Sequence, residues 1–249
     1  MTALLRAELL KVRTTRLVLG LLAAAVGVVV LGVVASILTA GEGGTPPLDT
    51  GEGVRNVFGN AGAASVLALV MGILVVTGEL RHGTITQTFL LTPRRPLVVA
   101  AKLAAMVVVG LVFGTVASAV SLAVAVPWLA AKDVSLGAMG GDVATVLLAA
   151  LLSCALYGLI GVGVGALVRN QVAAVVFALV WEFVLAGIVV ALLPAVGRWL
   201  PQGAARALSQ ETLTDGSLLP PWAGGVVLVA YAVVFSALGA RLLVRRDVT

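Results

Sequence analysis

The chain alternates between long apolar runs and short polar connections. As an α-helix, about 20 apolar residues cross the roughly 30 Å of hydrocarbon in a bilayer. Six runs reach that length, and we predict spans at 17–38, 57–77, 97–126, 143–168, 172–193 and 222–243. A bilayer offers no water to unpaired backbone groups, so such runs cross it as helices. The pattern therefore predicts an all-α integral membrane protein, with residues 1–249 forming a single transmembrane domain.

Composition excludes a soluble protein. Hydrophobic residues make up 61% of the chain and charged residues 11%, whereas soluble domains carry about 25% charged residues. The mean hydropathy is +1.16. A net charge of +5 would indicate nucleic acid as a partner of a soluble protein. Here the bases flank apolar runs, so we expect the lipid bilayer as a partner and no nucleic acid.

The basic residues orient the spans. Twelve of the sixteen Lys and Arg residues lie at the N-terminus, in the second and fourth connections, or in the tail: Arg6, Lys11, Arg13, Arg16, Arg81, Arg94, Arg95, Lys102, Arg169, Arg241, Arg245 and Arg246. Cytoplasmic loops are enriched in Lys and Arg, so we predict that both termini are cytoplasmic. The bias toward Ala, Val, Gly and Leu indicates a bacterial origin, hence a multi-pass protein of the bacterial plasma membrane.

The N-terminal residues 1–16 mix leucines with bases. Leu5, Leu9 and Val12 fall on one helical face beside Arg6. This arrangement is typical of a helix that lies in the membrane interface. A basic tail without fixed structure is the alternative.

The second connection, residues 78–96, is polar at its ends and apolar in the middle. Ile85 and Phe89 are four residues apart and share one helical face. A short amphipathic helix held between two spans can dock into a groove of a soluble partner. A solvated loop that only follows the charge rule is the alternative, and the residues alone do not decide between the two.

One acidic residue falls well inside a predicted span. Glu182 lies in the fifth span, where a charge costs roughly 2.5–3.5 kcal/mol on insertion scales. Counting outward from the tight turn at Arg169 places Tyr157 at the same depth. We predict that Tyr157, or nearby Ser153, donates a hydrogen bond to Glu182. The carboxyl group is either a contact for substrate or protons, or a structural link between helices.

Two spans carry glycines at four-residue spacing. These are Gly110 and Gly114 in the third span, and Gly161 and Gly165 in the fourth. Such pairs let helices approach closely. They predict close packing, either within one subunit or between two.

The sequence offers little for catalysis or cofactor binding. A single cysteine, Cys154, and a single histidine, His82, exclude a cysteine-built zinc site and leave a histidine site without a second ligand. We predict no catalytic residue, no metal site and no cofactor held by this chain. The sequence lacks the Gly-x-x-x-x-Gly-Lys-[Ser/Thr] phosphate loop, so we expect a separate polypeptide to bind ATP and Mg²⁺ and to hydrolyse the nucleotide.

Four segments resemble the permeases of type-2 ATP-binding-cassette (ABC) exporters. The main one runs from Glu79-Leu-Arg-His-Gly-Thr through Leu91-Thr-Pro-Arg-Arg to Lys102. The others are Ala7-Glu-Leu-Leu-Lys-Val-Arg13, Arg169-Asn-Gln171 and Gly197-Arg-Trp-Leu-Pro201. Each motif is weak alone, but they occur in the family's order and cover nearly the whole chain.

The resemblance implies an architecture and partners. Residues 1–16 would be the family's elbow helix, 78–96 its coupling helix on the ATPase, and the segment before the sixth span its short outer re-entrant helices. It implies two cytoplasmic ATPase subunits and a second permease subunit, identical or related. Together with the apolar face, it gives the ATPase-coupling residues as Glu79, Arg81, Gly83, Thr84, Ile85, Phe89, Pro93 and Arg94.

The sequence therefore predicts the permease subunit of an ATP-driven exporter, which moves an amphipathic or hydrophobic compound. A proton-coupled secondary transporter that uses Glu182 is one alternative, although such carriers usually hold several buried charges. A membrane anchor or regulator of an ATPase that transports nothing is the other. The substrate stays open at this stage.

Overall fold

The computed structural model describes residues 2–43, 45–84, 88, 90, 92, 94–134, 140–211 and 218–245. Regular structure within these residues is entirely helical. In chain order the helices are α1 (Thr2–Thr14), α2 (Arg16–Leu38), α3 (Gly51–Gly59), α4 (Ala64–Arg81), α5 (Arg95–Ala131), α6 (Gly140–Val168), α7 (Gln171–Val180), α8 (Ala186–Leu192), α9 (Pro194–Gly197), α10 (Pro201–Leu208) and α11 (Pro221–Arg245).

Six stretches of the described chain are long and apolar enough to cross a membrane. They are Arg16–Leu38, Gly51–Arg81, Arg95–Ala131, Gly141–Val168, Gln171–Leu192 and Pro221–Val244. Each overlaps one of the six predicted spans, so the predicted number is confirmed. The protein is an all-α, multi-pass membrane protein.

Helices α4 and α6 form the centre of the bundle, because small residues let their backbones touch. A side chain on Gly161 would collide with the Leu69 carbonyl oxygen, and one on Gly72 would collide with that of Gly158. On the other side of α6, a methyl group on Gly110 would lie 2.6 Å from Ala155 Cα. The predicted glycine pairs therefore pack helices within this chain.

The second span differs most from its predicted bounds. The chain becomes helical at Gly51 rather than at Val57, because the Thr50 hydroxyl accepts the Gly53 N–H at 3.0 Å and caps α3. A 3₁₀ turn over Asn60–Ala63 then joins α3 to α4. The connection between the first two spans is consequently shorter than the Gly- and Pro-rich composition of residues 41–53 indicates.

The third span is also longer than predicted. Helix α5 has 37 residues, about 56 Å at 1.5 Å per residue, and it continues through Pro127 to Ala131 instead of ending at Val126. A proline inside a helix removes one backbone hydrogen bond, which spans packed among other helices tolerate. A helix of that length exceeds the roughly 30 Å of hydrocarbon, so it either tilts or extends beyond the bilayer.

Shorter helices precede the first span and separate the fifth span from the sixth. Helix α1 is separated from α2 by the extended residue Thr15, so the N-terminus is helical rather than an unstructured tail. After α8, helices α9 and α10 turn back onto the bundle: Gly197 lies against Val190, and Gly224 of α11 against Ala204. That α1 lies in the interface and that α9 and α10 re-enter the membrane both stay predictions.

The turn between α6 and α7 sets the register of the fourth and fifth spans. Arg169 takes a left-handed conformation (φ 60°), and the Asn170 side chain accepts the Ala173 N–H at 3.0 Å. This cap starts α7 directly after α6 ends. Residues equally distant from the turn therefore lie at about the same depth in the two helices.

Candidate functional site

Four charged side chains meet where α1, the end of α4 and the start of α5 come together. Lys102 Nζ lies 2.6 Å from Glu8 Oε2 and 2.9 Å from Glu79 Oε1. Lys11 Nζ lies 2.6 Å from Glu8 Oε1 and 3.0 Å from Glu79 Oε1. Each acid contacts both bases, so the set is neutral and fully cross-paired. We call Glu8, Lys11, Glu79 and Lys102 the charge cluster.

Burial makes the charge cluster a strong constraint. The side chain of Lys102 is 2% exposed and that of Glu8 5% exposed. Burial alone would raise the pKa of the Glu8 carboxyl, but Lys102 and Lys11 outweigh it and hold that pKa below its ordinary value. Burial likewise tends to lower the pKa of Lys11, but the Glu8 and Glu79 carboxylates outweigh burial and hold that pKa above its ordinary value. Both groups are therefore charged at neutral pH.

The predicted coupling segment, residues 78–96, contains Glu79 of the charge cluster and continues beyond it. Helix α4 stops because Gly83 takes a left-handed conformation (φ 65°), which favours glycine. Residues Thr84, Thr88 and Leu90 are helical again, and the Thr88 hydroxyl donates to the Thr84 carbonyl oxygen at 3.1 Å. The chain therefore turns sharply at Gly83 and resumes a helical course.

The predicted coupling residues fall into three groups. Arg81, Gly83, Thr84 and Arg94 are exposed, as a contact with a soluble partner requires. Glu79 instead turns inward to the charge cluster. Ile85, Phe89 and Pro93 lie outside the described residues.

Sequence reasoning missed the charge cluster, although it used all four residues. Glu8, Lys11, Glu79 and Lys102 each entered through the family resemblance, without being paired. The pairing joins residues up to 94 positions apart, so no local pattern contains it. One signal was available: Lys102 lies inside the third apolar run, and Glu8 and Glu79 lie at the same end of the spans, which is predicted to face the cytoplasm.

The second polar site is the predicted pair between the fourth and fifth spans. The Tyr157 hydroxyl donates to Glu182 Oε1 at 3.1 Å, and both side chains are buried. Tyr157 and Glu182 are each 12 or 13 residues from the turn at Arg169, which is why counting from that turn paired them. Ser153 does not supply the bond. Its hydroxyl is buried and has no hydrogen-bond partner among the described residues.

The backbone around Glu182 departs from an ordinary helix. Residues Trp181–Leu185 form a π turn between α7 and α8, an irregularity that is frequent at functional sites. Gln202 of α10 reaches back to it, and its Nε2 donates to the Glu182 carbonyl oxygen at 2.9 Å. Both the side chain and the backbone of Glu182 therefore bond to neighbouring helices.

Two cavities meet at the Tyr157–Glu182 pair. The first, of about 460 Å³, is lined by polar groups that include Ser153, Arg206 and Glu211. The second, of about 230 Å³, is lined mainly by apolar and aromatic side chains, namely Leu69, Ile160, Val164, Phe177, Ala178, Trp181, Leu200, Pro201, Tyr231 and Phe235. Tyr157 and Glu182 line both. We call them the polar cavity and the aromatic cavity.

Comparison with known proteins gives a family. The family described as ABC-2 family transporter protein matches residues 4–186, which is more than half of the chain and includes both the charge cluster and Glu182. No curated protein matches the chain. Six membrane-spanning helices and this match agree with the resemblance drawn from the motifs. The chain belongs to the ABC-2 family of transporters, as a membrane-spanning permease component.

Proposed function

We propose that this chain is the permease subunit of an ATP-driven exporter, which pairs with a second permease and with two cytoplasmic ATPase subunits. In this proposal the ATPase docks on residues 78–96, and ATP and Mg²⁺ bind to that partner. The substrate path lies among the spans of the permease. The end that carries the charge cluster faces the cytoplasm.

The charge cluster is the observation that carries this proposal. It locks the end of α4, the start of α5 and α1 to one another directly behind the connection that would meet the ATPase. A force applied to that connection would reach three helices at once, because moving any one of them separates buried opposite charges. A loop that merely linked two spans would have no need of such a brace.

A cavity beside the charge cluster supports the same proposal. It has a volume of about 480 Å³ and is lined by residues of α1, α4 and the start of α7, including Glu79, His82 and Thr84. Arg81, which is exposed, directly precedes the lining residue His82 in the sequence. A concave surface that includes His82, with the exposed base Arg81 as the preceding residue, is suited to an acidic, helix-sized element of a soluble partner.

The first test is co-purification under a matched pair of charge reversals. Arg81→Glu changes an exposed base next to the cavity, and Lys132→Glu makes the same kind of change in an exposed base after α5. Tagged variants would be purified from native membranes in mild detergent. We expect an ATPase subunit with the wild type and Lys132→Glu, and at least tenfold less with Arg81→Glu.

Two outcomes would overturn the proposal. If no ATPase accompanies the wild-type chain, and transport persists in vesicles without ATP, the secondary transporter replaces it. If the ATPase co-purifies but its activity never responds to any transported compound, the chain is an anchor or regulator. Equal recovery of ATPase with both variants would reject residues 78–96 as the docking segment.

A further inference from the structure

Glu182 has no ion-pair partner, unlike the acids of the charge cluster. It is 6% exposed, and within the described residues no Lys or Arg forms a salt bridge with it. The nearest base of its cavity, Arg206, has a carboxylate of its own, since its Nε lies 3.7 Å from Glu211 Oε2. Among the described residues, the carboxyl groups and bases that line the polar cavity are thus two acids, Glu182 and Glu211, and one base, Arg206.

Such a carboxyl group is expensive unless something compensates it. An ionisable side chain within a span costs roughly 2.5–3.5 kcal/mol on insertion scales, and the Tyr157 hydrogen bond supplies only one donor. A cation at this point would complete the pairing that the chain leaves open. The excess of one acid in the cavity favours a single positive charge.

A second unsatisfied group marks the same cavity. The Ser153 hydroxyl is 1% exposed, lines the polar cavity, and has no hydrogen-bond partner among the described residues. Buried hydroxyl groups normally find a partner. A ligand with hydrogen-bonding groups beside its charge would satisfy Ser153 and Glu182 together.

The aromatic cavity fixes the other half of the ligand. Phe177, Trp181 and Tyr231 are among its lining residues; aromatic rings of this kind bind apolar groups and attract a neighbouring cation through their faces. Phe177 is also exposed on the outside of the bundle, where the membrane surrounds the spans. A compound dissolved in lipid can therefore reach this cavity without crossing the polar one.

We infer that Tyr157 and Glu182 bind an amphipathic organic cation, whose ammonium group lies at the Glu182 carboxylate and whose apolar body fills the aromatic cavity. This inference rests on the proposed function, and it names the class of compound that the permease carries. The charge is recognised at Glu182 and the apolar body by the aromatic cavity, so both contribute to the affinity.

The test uses three probes of matched shape and different charge. They are 4-phenylbutylammonium, 4-phenylbutanol and 4-phenylbutyrate. Trp181 lines the aromatic cavity, and changing the other three tryptophans (Trp128→Phe, Trp199→Phe and Trp222→Phe) leaves its fluorescence as the reporter. The purified chain is reconstituted in nanodiscs of zwitterionic lipid, and binding is measured without ATP or an ATPase.

We expect the ammonium probe to bind at least about tenfold more tightly than the alcohol, and the carboxylate most weakly. Glu182→Gln should bring the ratio of ammonium to alcohol affinity close to one. Glu182→Asp, which keeps the charge, should retain the preference. Glu42→Gln, the same change at an exposed carboxyl group in the first outer connection, should leave it unaltered.

Equal binding of the ammonium and the alcohol to the wild type would overturn the inference, and this comparison does not depend on the folding of any variant. Retention of the preference in Glu182→Gln would overturn it as well. Since no ATPase takes part, failure here leaves the co-purification result standing. Conversely, a cation preference without a co-purifying ATPase would reject the exporter and keep the binding site.

Discussion

The charge cluster and the Tyr157–Glu182 pair are both buried and polar, but they balance their charges differently. In the charge cluster two acids meet two bases within 3.0 Å. At Glu182 one carboxyl group meets a phenol, and no base of the described part of the chain forms a salt bridge with it. A set whose charges balance without a ligand serves the protein's own structure, although Glu79 Oε2 has no hydrogen-bond partner among the described residues. A set that lacks one charge has room for a ligand, and this difference assigns bracing to one site and binding to the other.

Replacing Lys102 should have the largest effect on stability of the changes considered for the two sites. Lys102→Met leaves Glu8 and Glu79 buried beside a single lysine that is itself half exposed. Loss of one partner from a buried ion pair costs roughly 3–5 kcal/mol, so we expect the free energy of unfolding to fall by that amount. Denaturant titration in mixed micelles would measure it. Lys132→Met, an exposed site, should change stability little, and an equal effect of both would refute the bracing role.

Removing the phenol from the second site should have a smaller effect. Tyr157→Phe deletes the one hydrogen bond that the Glu182 carboxyl group receives from a side chain in the described structure. A hydrogen bond of this kind contributes about 1–2 kcal/mol, and the same titration should show a loss of that size. A loss as large as that of Lys102→Met would mean that the pair is structural rather than a binding site.

Neutralising Glu182 should cost less still. Glu182→Gln keeps an acceptor for Tyr157 and removes an uncompensated charge, so the free energy of unfolding should stay within about 1 kcal/mol of the wild type. Transport should nevertheless fall. Unchanged stability together with lost transport sharpens the comparison, whereas intact transport and assembly would exclude a functional charge.

The smallest effect concerns pH. The pKa of Glu8 lies below its ordinary value of 4.5, so its contribution to stability is present above pH 4.5 and is lost as the pH falls through the lowered value. The pKa of Lys11 lies above 10.5, so its contribution is present below pH 10.5 and is lost as the pH rises through the raised value. Hydrogen exchange in α1, corrected for intrinsic rates, should therefore show constant protection between about pH 5 and 10. A transition near neutral pH would contradict this pairing.

Much of the fold follows from the sequence because hydrophobic length alone selects spans. The six runs, the tight turn at Arg169 and the contact between Tyr157 and Glu182 needed only apolar patterns and a helical repeat. The places where helices begin or depart from regular α geometry were harder to predict. The cap at Thr50 and the π turn at Trp181–Leu185 depend on neighbours that the local sequence does not reveal, such as Gln202 of α10.

The candidate sites divide in the same way. Glu182 could be found because a lone carboxyl group in an apolar run is conspicuous. The charge cluster could not be found in this way. Glu8 and Glu79 lie in polar stretches of the sequence, where an acid does not indicate a buried partner. Only the packing of α1 against α5 shows that Lys102 would be stranded without them.

The order of the four charges along the chain bears on how the protein is made. Glu8 and Glu79 leave the ribosome before Lys102. When the third span enters the bilayer, both carboxylates have therefore already been synthesised, at the end of the bundle that the proposed topology places in the cytoplasm. The Lys102 ammonium group can thus pair with Glu8 and Glu79 as soon as the third span is inserted, so no unpaired charge has to enter the lipid.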